Sequence, residues 1–169
     1  MPAPYPSVWR PSHLHPTRWL AVAIGAQPWL PRVAPHIVRT DLLLRQLTGG
    51  RITLLTFAGL PELFLTVAGR RTGRVRTTPL LCVPRDGSWL VAGSNWGAPR
   101  PPDWVSNLAA ADIAKVGFHG RDTEVAASLL EGGERAAAWR DMLEVWPNYA
   151  TYAERTARDI PVFRLTPVG

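Results

Sequence analysis

From residue 52 onward, turn signals cut the chain into short pieces, and no other feature constrains its fold as tightly. Residues 52–57 and 63–68 are short β-rich runs broken apart by Gly59-Leu60-Pro61. Residues 74–83 alternate loosely into a strand. Arg85-Asp86-Gly87 has the composition of a tight turn, and 89–92 reads as its hairpin partner. Residues 113–118 and 123–130 form a second strand pair across His119-Gly120, and 160–165 is a closing strand. Strands joined by turns run antiparallel, so this spacing predicts an antiparallel sheet closed to a barrel.

Helices are inserted between these strands. Residues 36–47 carry Ile37, Leu44 and Leu47 on one face and stop at Gly49-Gly50. Pro102 and Asp103 suit a helix start. Trp139, Met142, Leu143 and Trp146 follow helical spacing over 134–146, and 148–158 reads as a second short helix. The expected class is α+β, mainly β, with a few peripheral helices.

Residues 1–35 hold eight prolines, which forbid long helices and predict an irregular arm with short helical pieces. Trp9, Trp19 and Trp29 interleave there with Arg10, Arg18 and Arg32. Such an arm can settle on an anionic membrane surface or pack over the domain. The run WLAVAIGAQPWL at 19–30 is followed by no credible cleavage signal and is read as mature chain. His13 and His15 are expected to be solvated. No apolar stretch reaches 18 residues, so no transmembrane helix is expected.

The net charge of +6 is unevenly spread. Residues 1–102 carry twelve Arg against three acids, whereas 103–169 carry six Arg and Lys115 against ten. An anionic partner should therefore dock on the first part. Cys82, the only cysteine, lies in an apolar run and is expected to be a buried, inert thiol.

Three segments are candidates for chemistry. In GRRTGRVRTTPL (69–80), Gly69 and Gly73 bracket Arg70-Arg71-Thr72, close to Arg74 and Arg76. The segment is neither a P-loop nor a dinucleotide fingerprint. By charge alone it is either an anion site, phosphate first, or a solvated hairpin tip. In GSNWGAPRPPDWVSNL (93–108), a small-residue loop leads into a helix. Trp104 can wall a flat ligand or pack the core there, and Asn107 can bind or cap. In WPNYATYAERT (146–156), Trp146, Tyr149 and Tyr152 are three apart, as in a core face or a pocket lining. There is no Ser-His-Asp set, no shared carboxylate motif and no metal-ligand cluster. Any enzymatic chemistry would come from an organic cofactor.

Taken in this order, and extended to WPNYATYAERTARDIPVFRL, the three motifs resemble the deazaflavin-dependent nitroreductase family over roughly residues 50–168. Its members are split β-barrels of the FMN-binding-like kind that use reduced coenzyme F420, an 8-hydroxy-5-deazaflavin. The expected organisation is a Pro-rich N-terminal arm and helix over 1–50, outside the resemblance, and a deazaflavin-binding split barrel over 51–169, which the resemblance implies. The resemblance further implies coenzyme contacts from Arg70, Arg71, Thr72 and Arg76 to the phosphate. The strand Thr77, Thr78, Pro79, Leu80 and Leu81 would lie along the deazaflavin. Ala92, Gly93, Ser94 and Asn95 would meet the ring. Asp103, Trp104, Val105, Ser106 and Asn107 would complete the wall. It places Tyr149 near the reacting face, to orient the acceptor or donate a proton. Trp96 stands where a glycine is frequent in the family, and Trp146 and Leu81 depart from the tyrosines of the nitroimidazole-activating member, so nitroimidazole reduction is not implied.

The activity so implied is hydride transfer from the reduced coenzyme to a small-molecule electron acceptor such as a quinone, enone or nitroaromatic compound. No nucleic-acid partner is expected, because RRM, KH and helix-turn-helix signatures are missing. The expected location is the cytoplasm, with the arm resting on the inner face of the plasma membrane as a variant. The alternatives are a non-catalytic anion-binding module, for nucleic acid or an anionic membrane, and a split barrel that uses FMN.

Overall fold

The computed structural model describes residues 17–169. Seven strands form one antiparallel sheet in the order β2-β1-β5-β6-β7-β4-β3. They are β1 (Glu62–Ala68), β2 (Val75–Leu81), β3 (Val83–Arg85), β4 (Ser88–Ala92), β5 (Ala114–Phe118), β6 (Arg121–Leu129) and β7 (Val162–Pro167). The two edge strands, β2 and β3, are separated in sequence only by Cys82. A sheet whose opposite edges lie one residue apart must curl until they meet, and this makes the split barrel. One bent strand thus pairs with β1 through its first part and with β4 through its second. Cys82 N–H donates to Pro61 O at 3.1 Å at the bend.

The expected turns close these pairs. Asp86 and Gly87 join β3 to β4, and His119 and Gly120 join β5 to β6, all four with positive φ. That is the two-residue hairpin geometry whose twist matches the flanking strands.

Strand alternation splits the core in two. Leu63, Leu65, Val67, Trp89, Val91, Val116, Phe118, Val125, Phe163 and Leu165 fill one side. Leu90, Ala92 and Val162, from the opposite faces of the same strands, pack with helices α4 (Gly132–Val145) and α5 (Asn148–Glu154). Met142, Val145, Trp146, Tyr149 and Tyr152 supply the helical half.

Three expectations are corrected. Residues 52–57 form no strand; Leu55–Ala58 is a 3-10 turn. Thr53 and Thr56 each accept the other's backbone N–H at 3.1 Å, which gives the chain a turn in place of a ladder. Helix α2 runs Leu30–Thr48, six residues earlier than expected. Pro31 sits in its first turn, where its missing N–H costs nothing, and Pro35 removes one bond close to the start. Leu47 is 80% exposed; the inward seam is instead Leu30, Ala34 and Asp41.

The arm, over its described part, packs on the domain. Helix α1 (Arg18–Gly25) is stitched to α4 and α5. Arg18 donates to Glu144 O and Val145 O, Asn148 to Val22 O at 2.7 Å, and Tyr152 hydroxyl to Gly25 O at 2.7 Å. Trp9 and Arg10, like the pair His13 and His15, lie outside the described residues.

Candidate functional site

The β1–β2 hairpin is built to hold its arginines apart. Gly69 N–H donates to Arg74 O at 2.8 Å, and Gly73 N–H to Gly69 O at 2.7 Å. Thr72 Oγ1 accepts from Arg74 N–H at 3.3 Å. Gly73 has φ 67°, which a side chain there would resist. With the backbone satisfied internally, the side chains of Arg70, Arg71 and Arg76 are free to face outward.

Helix α3 (Asp103–Ala109) approaches this tip. Trp104 and Leu108, four apart, turn into the barrel core, and Trp104 meets Phe163 at 6.1 Å between ring centroids. Asp103, Ser106 and Asn107 therefore look out toward the hairpin. Asn107 Oδ1 accepts Arg70 N–H at 3.1 Å and ties the two elements together. No acceptor among the described residues takes the hydrogens of Asn107 Nδ2.

Between hairpin and helix lies a cavity of about 300 Å³, lined by Gly69, Arg70, Arg71, Thr72, Arg76, Asp103, Ser106 and Asn107. None of its three arginines enters an ion pair among the described residues. An adjoining cleft of about 450 Å³ follows the outer edge of β2 and is lined by Arg74, Val75, Arg76, Thr77 and Thr78. Arg76 borders both.

Seven sequence-selected residues therefore meet in one cavity: Arg70, Arg71, Thr72, Arg76, Asp103, Ser106 and Asn107. Thr77 and Thr78 stand in the neighbouring cleft, and Pro79, Leu80 and Leu81 continue that strand half-buried. Ala92 is buried in the cluster with α4 and α5, and Gly93 is buried behind α3, where it abuts Val105 and Pro161 so closely that a Cβ would lie 2.4 Å from Val105 Cγ2. Ser94 and Asn95 are half-buried in the loop that follows.

Two expected site residues are placed elsewhere. Trp104 belongs to the core, because the apolar face of a seven-residue amphipathic helix must point inward. Tyr149, expected near a reacting face, is 4% exposed and packs between Trp139, at 5.7 Å, and Tyr152, at 6.1 Å. Burial pushes its hydroxyl far above the ordinary tyrosine range. Tyr152 is pushed up to about 12 by the same cause.

Beneath α2 lies a buried acidic pair. Asp41, 1% exposed, accepts Leu54 N–H at 2.7 Å, and its carboxyl is pushed up by burial. Burial, and then the charge of Asp41, push Glu62 to about 8. The Cys82 thiol, fully buried, is pushed well up by burial and then by Glu62.

Sequence reasoning missed Arg158. Its guanidinium donates to Ser94 O at 2.8 Å, Gly93 O at 3.1 Å, Ala98 O at 3.2 Å and Asp159 O at 3.4 Å. A lone arginine after a helix carries no signal of such a reach, which spans 60 to 65 residues.

Known proteins resemble this chain in sequence and in fold. A Mycobacterium tuberculosis strain H37Rv protein, Rv3178, named as a candidate F420H(2)-dependent quinone reductase, is 26% identical over 107 residues, covering 63% of this chain and 90% of its own length. The solved structure of an F420-H2 dependent reductase, FDR-A, superposes with TM-score 0.58 at 33% identity, over 62% of this chain and 93% of that one. A solved domain-swapped dimer superposes with TM-score 0.61 at 32% identity, over 75% of this chain and 93% of that one. The family model described as F420H(2)-dependent quinone reductase matches residues 37–167, most of the chain, and the chain belongs to that family.

Proposed function

We propose that the cavity between the hairpin and α3 receives the phosphate and oligoglutamate tail of coenzyme F420, and that the acceptor reduced is a quinone-type small molecule. The protein is an oxidoreductase that depends on this coenzyme, so the FMN and non-catalytic alternatives give way. The carrying observation is the convergence of Arg70, Arg71 and Arg76 with Ser106 and Asn107, without an ion-paired carboxylate for any of these guanidiniums among the described residues.

That donor set fits a multiply anionic group. Arginine presents planar, paired donors that match phosphate and carboxylate oxygens. Each shielded charge-assisted hydrogen bond contributes about 1.5–3 kcal/mol. At an exposed hairpin tip the contribution is smaller, since salt screens charges over about 8–10 Å. Ser106 Oγ and Asn107 Nδ2 add neutral donors from the other wall. The adjoining cleft, with the Thr77 and Thr78 hydroxyls and the open edge of β2, is assigned to one side of the ring, and the 93–98 loop that leads into α3 is assigned to its other side. When bound, the reduced coenzyme supplies the hydride. The chain's own residues hold the anion, orient the ring and exclude water.

Titration should quench the fluorescence of coenzyme F420 saturably in the micromolar range. No saturation would sink this reading of the cavity. Turnover of enones or nitroaromatics with none of any quinone would overturn the acceptor class.

A second feature bears on where the acceptor is met. Trp19, Leu20, Ile24, Trp29, Leu43, Leu47 and Phe57 are exposed on or beside α1 and α2. Residues 17–51 hold five arginines and one acid, the buried Asp41. We assign this surface to an anionic bilayer on the cytoplasmic side, where a lipid-soluble quinone would be at hand. No helix among the described residues is long and apolar enough to cross a membrane. The protein should pellet with anionic but not zwitterionic vesicles; equal recovery with both, or with neither, would remove the assignment.

A further inference from the structure

We propose that Arg158 is a positioning residue for the coenzyme: it holds the 93–98 loop in the shape against which the deazaflavin ring is bound. The inference rests on the assignment of coenzyme F420 to this site and concerns the ring rather than the phosphate.

The 93–98 loop is held in a conformation its sequence does not favour. Asn95 and Trp96 have φ 46° and 52°, so two successive residues with side chains occupy left-handed backbone. Such strain persists only where surrounding structure over-determines it. The loop's own bonds are few: Gly97 N–H to Ser94 O at 3.0 Å, Ala98 N–H to Asn95 O at 2.9 Å, and Asn95 Nδ2 to Arg100 O at 2.9 Å. The ends are fixed from outside. Gly93 N–H donates to Pro161 O at 2.9 Å, and Gly97 sits where a Cβ would lie 2.7 Å from Tyr152 O.

Arg158 supplies the rest. Its three nitrogens reach the carbonyls of Gly93, Ser94 and Ala98, gripping both ends of the loop at once. No carboxylate pairs with it among the described residues, so carbonyls alone take its hydrogens. Burial pushes its pKa down from the ordinary arginine value, and the carbonyls oppose that loss by accepting from the charged form. The loop leads through Pro102 into α3, whose Val105 wedges against Gly93. The clamp therefore sets the loop and, through it, the helix wall of the cavity. A lysine keeps the charge but offers one ammonium where the guanidinium fork reaches three carbonyls.

The test uses Arg158→Lys with Arg71→Ala as its counterpart, and two probes: coenzyme F420, and 8-hydroxy-5-deazariboflavin, which lacks the phosphate and tail. Arg158→Lys should weaken both probes about equally, by roughly tenfold, the cost of one or two charged hydrogen bonds. Arg71→Ala should weaken coenzyme F420 alone. Without any ligand, amide hydrogen exchange over 94–98 should quicken in Arg158→Lys while β4 and β7 keep their protection. Free guanidinium ion should restore ring binding to Arg158→Ala. Unchanged loop exchange, or faster exchange with unchanged affinity for both probes, would overturn the proposal. If Arg158→Lys does not fold, Arg158→Gln takes its place. Failure of both to fold makes Arg158 a stability residue and overturns the proposal as well. If the unaltered protein binds neither probe, it is the coenzyme assignment that falls, and the exchange data still decide whether Arg158 holds the loop.

Discussion

At the hairpin, Arg70, Arg71 and Arg76 stand in solvent around a cavity. On and beneath α2 and α5, Asp41, Cys82, Tyr149 and Tyr152 are buried and Glu62 is half-buried. Both regions gather ionisable groups, and solvent sorts them. A guanidinium in water stays charged at no cost and remains available to a ligand. The inner groups feel one another in sequence: Asp41 acts on Glu62, Glu62 on Cys82, and Tyr149 feels Cys82 and Tyr152. Burial is the first cause of every one of those upward shifts, so each group is driven toward its neutral form. On the proposed reading the hairpin carries binding with little bearing on stability, and the buried set carries stability.

The largest expected effect tests the buried side. Tyr149→Ala empties a site packed by Trp139 and Tyr152 and should cost about 3–5 kcal/mol in denaturant unfolding. Tyr149→Phe keeps the ring and should stay within about 1 kcal/mol, with coenzyme affinity and turnover unchanged. Slowed turnover in Tyr149→Phe, at intact stability, would break the comparison and return this hydroxyl to the reacting face.

Next in size is the acidic pair. Glu62 takes its proton at about 8 in the folded protein, against an ordinary value of 4.5. The folded state thus binds the proton more tightly than the unfolded chain. The associated stability is full below about 4.5 and is lost as pH rises through about 8. Unfolding at pH 6 and pH 9 should differ by on the order of 2 kcal/mol, with the higher pH weaker. Glu62→Gln, which keeps a neutral side chain of the same shape, should flatten that difference. An unchanged slope would show that the proton resides elsewhere.

Much of this architecture was legible because turns and strand alternation are local. Asp86-Gly87 and His119-Gly120 announce their hairpins, and the alternation in β4 sends Trp89 and Val91 to one core, Leu90 to the other. The Arg-rich hairpin and its α3 partners were legible as a set. What was not legible depends on distant neighbours. Ile52 and Thr53 favour a strand by propensity, but reciprocal bonds between Thr53 and Thr56 win locally. Pro35 looks like a helix boundary, but lies near enough to the start to cost one bond. Trp104 and Tyr149 carry the same spacing whether they face a ligand or a core, and only the packed barrel decides. Arg158 grips the 93–98 loop through carbonyls far away in sequence.

The smallest effect on the fold is expected at the hairpin, and it is the sharpest test of the comparison. Arg71 is exposed and supports no bond of the turn, whose hydrogen bonds run through Gly69, Thr72, Gly73 and Arg74. Arg71→Ala should therefore shift unfolding by less than about 0.5 kcal/mol. Coenzyme affinity should still fall roughly tenfold, the worth of one partly screened charge-assisted contact. Arg76→Ala should lose at least as much, because Arg76 borders both the cavity and the cleft along β2. Raising the salt concentration should weaken the unaltered protein's coenzyme binding more than that of either variant, since each has lost a screened contact. Equal salt slopes at unchanged affinity would put the anion elsewhere. A fall in affinity matched by a fall in stability would mean that the hairpin arginines hold the fold, and that binding and stability are not divided between these two regions.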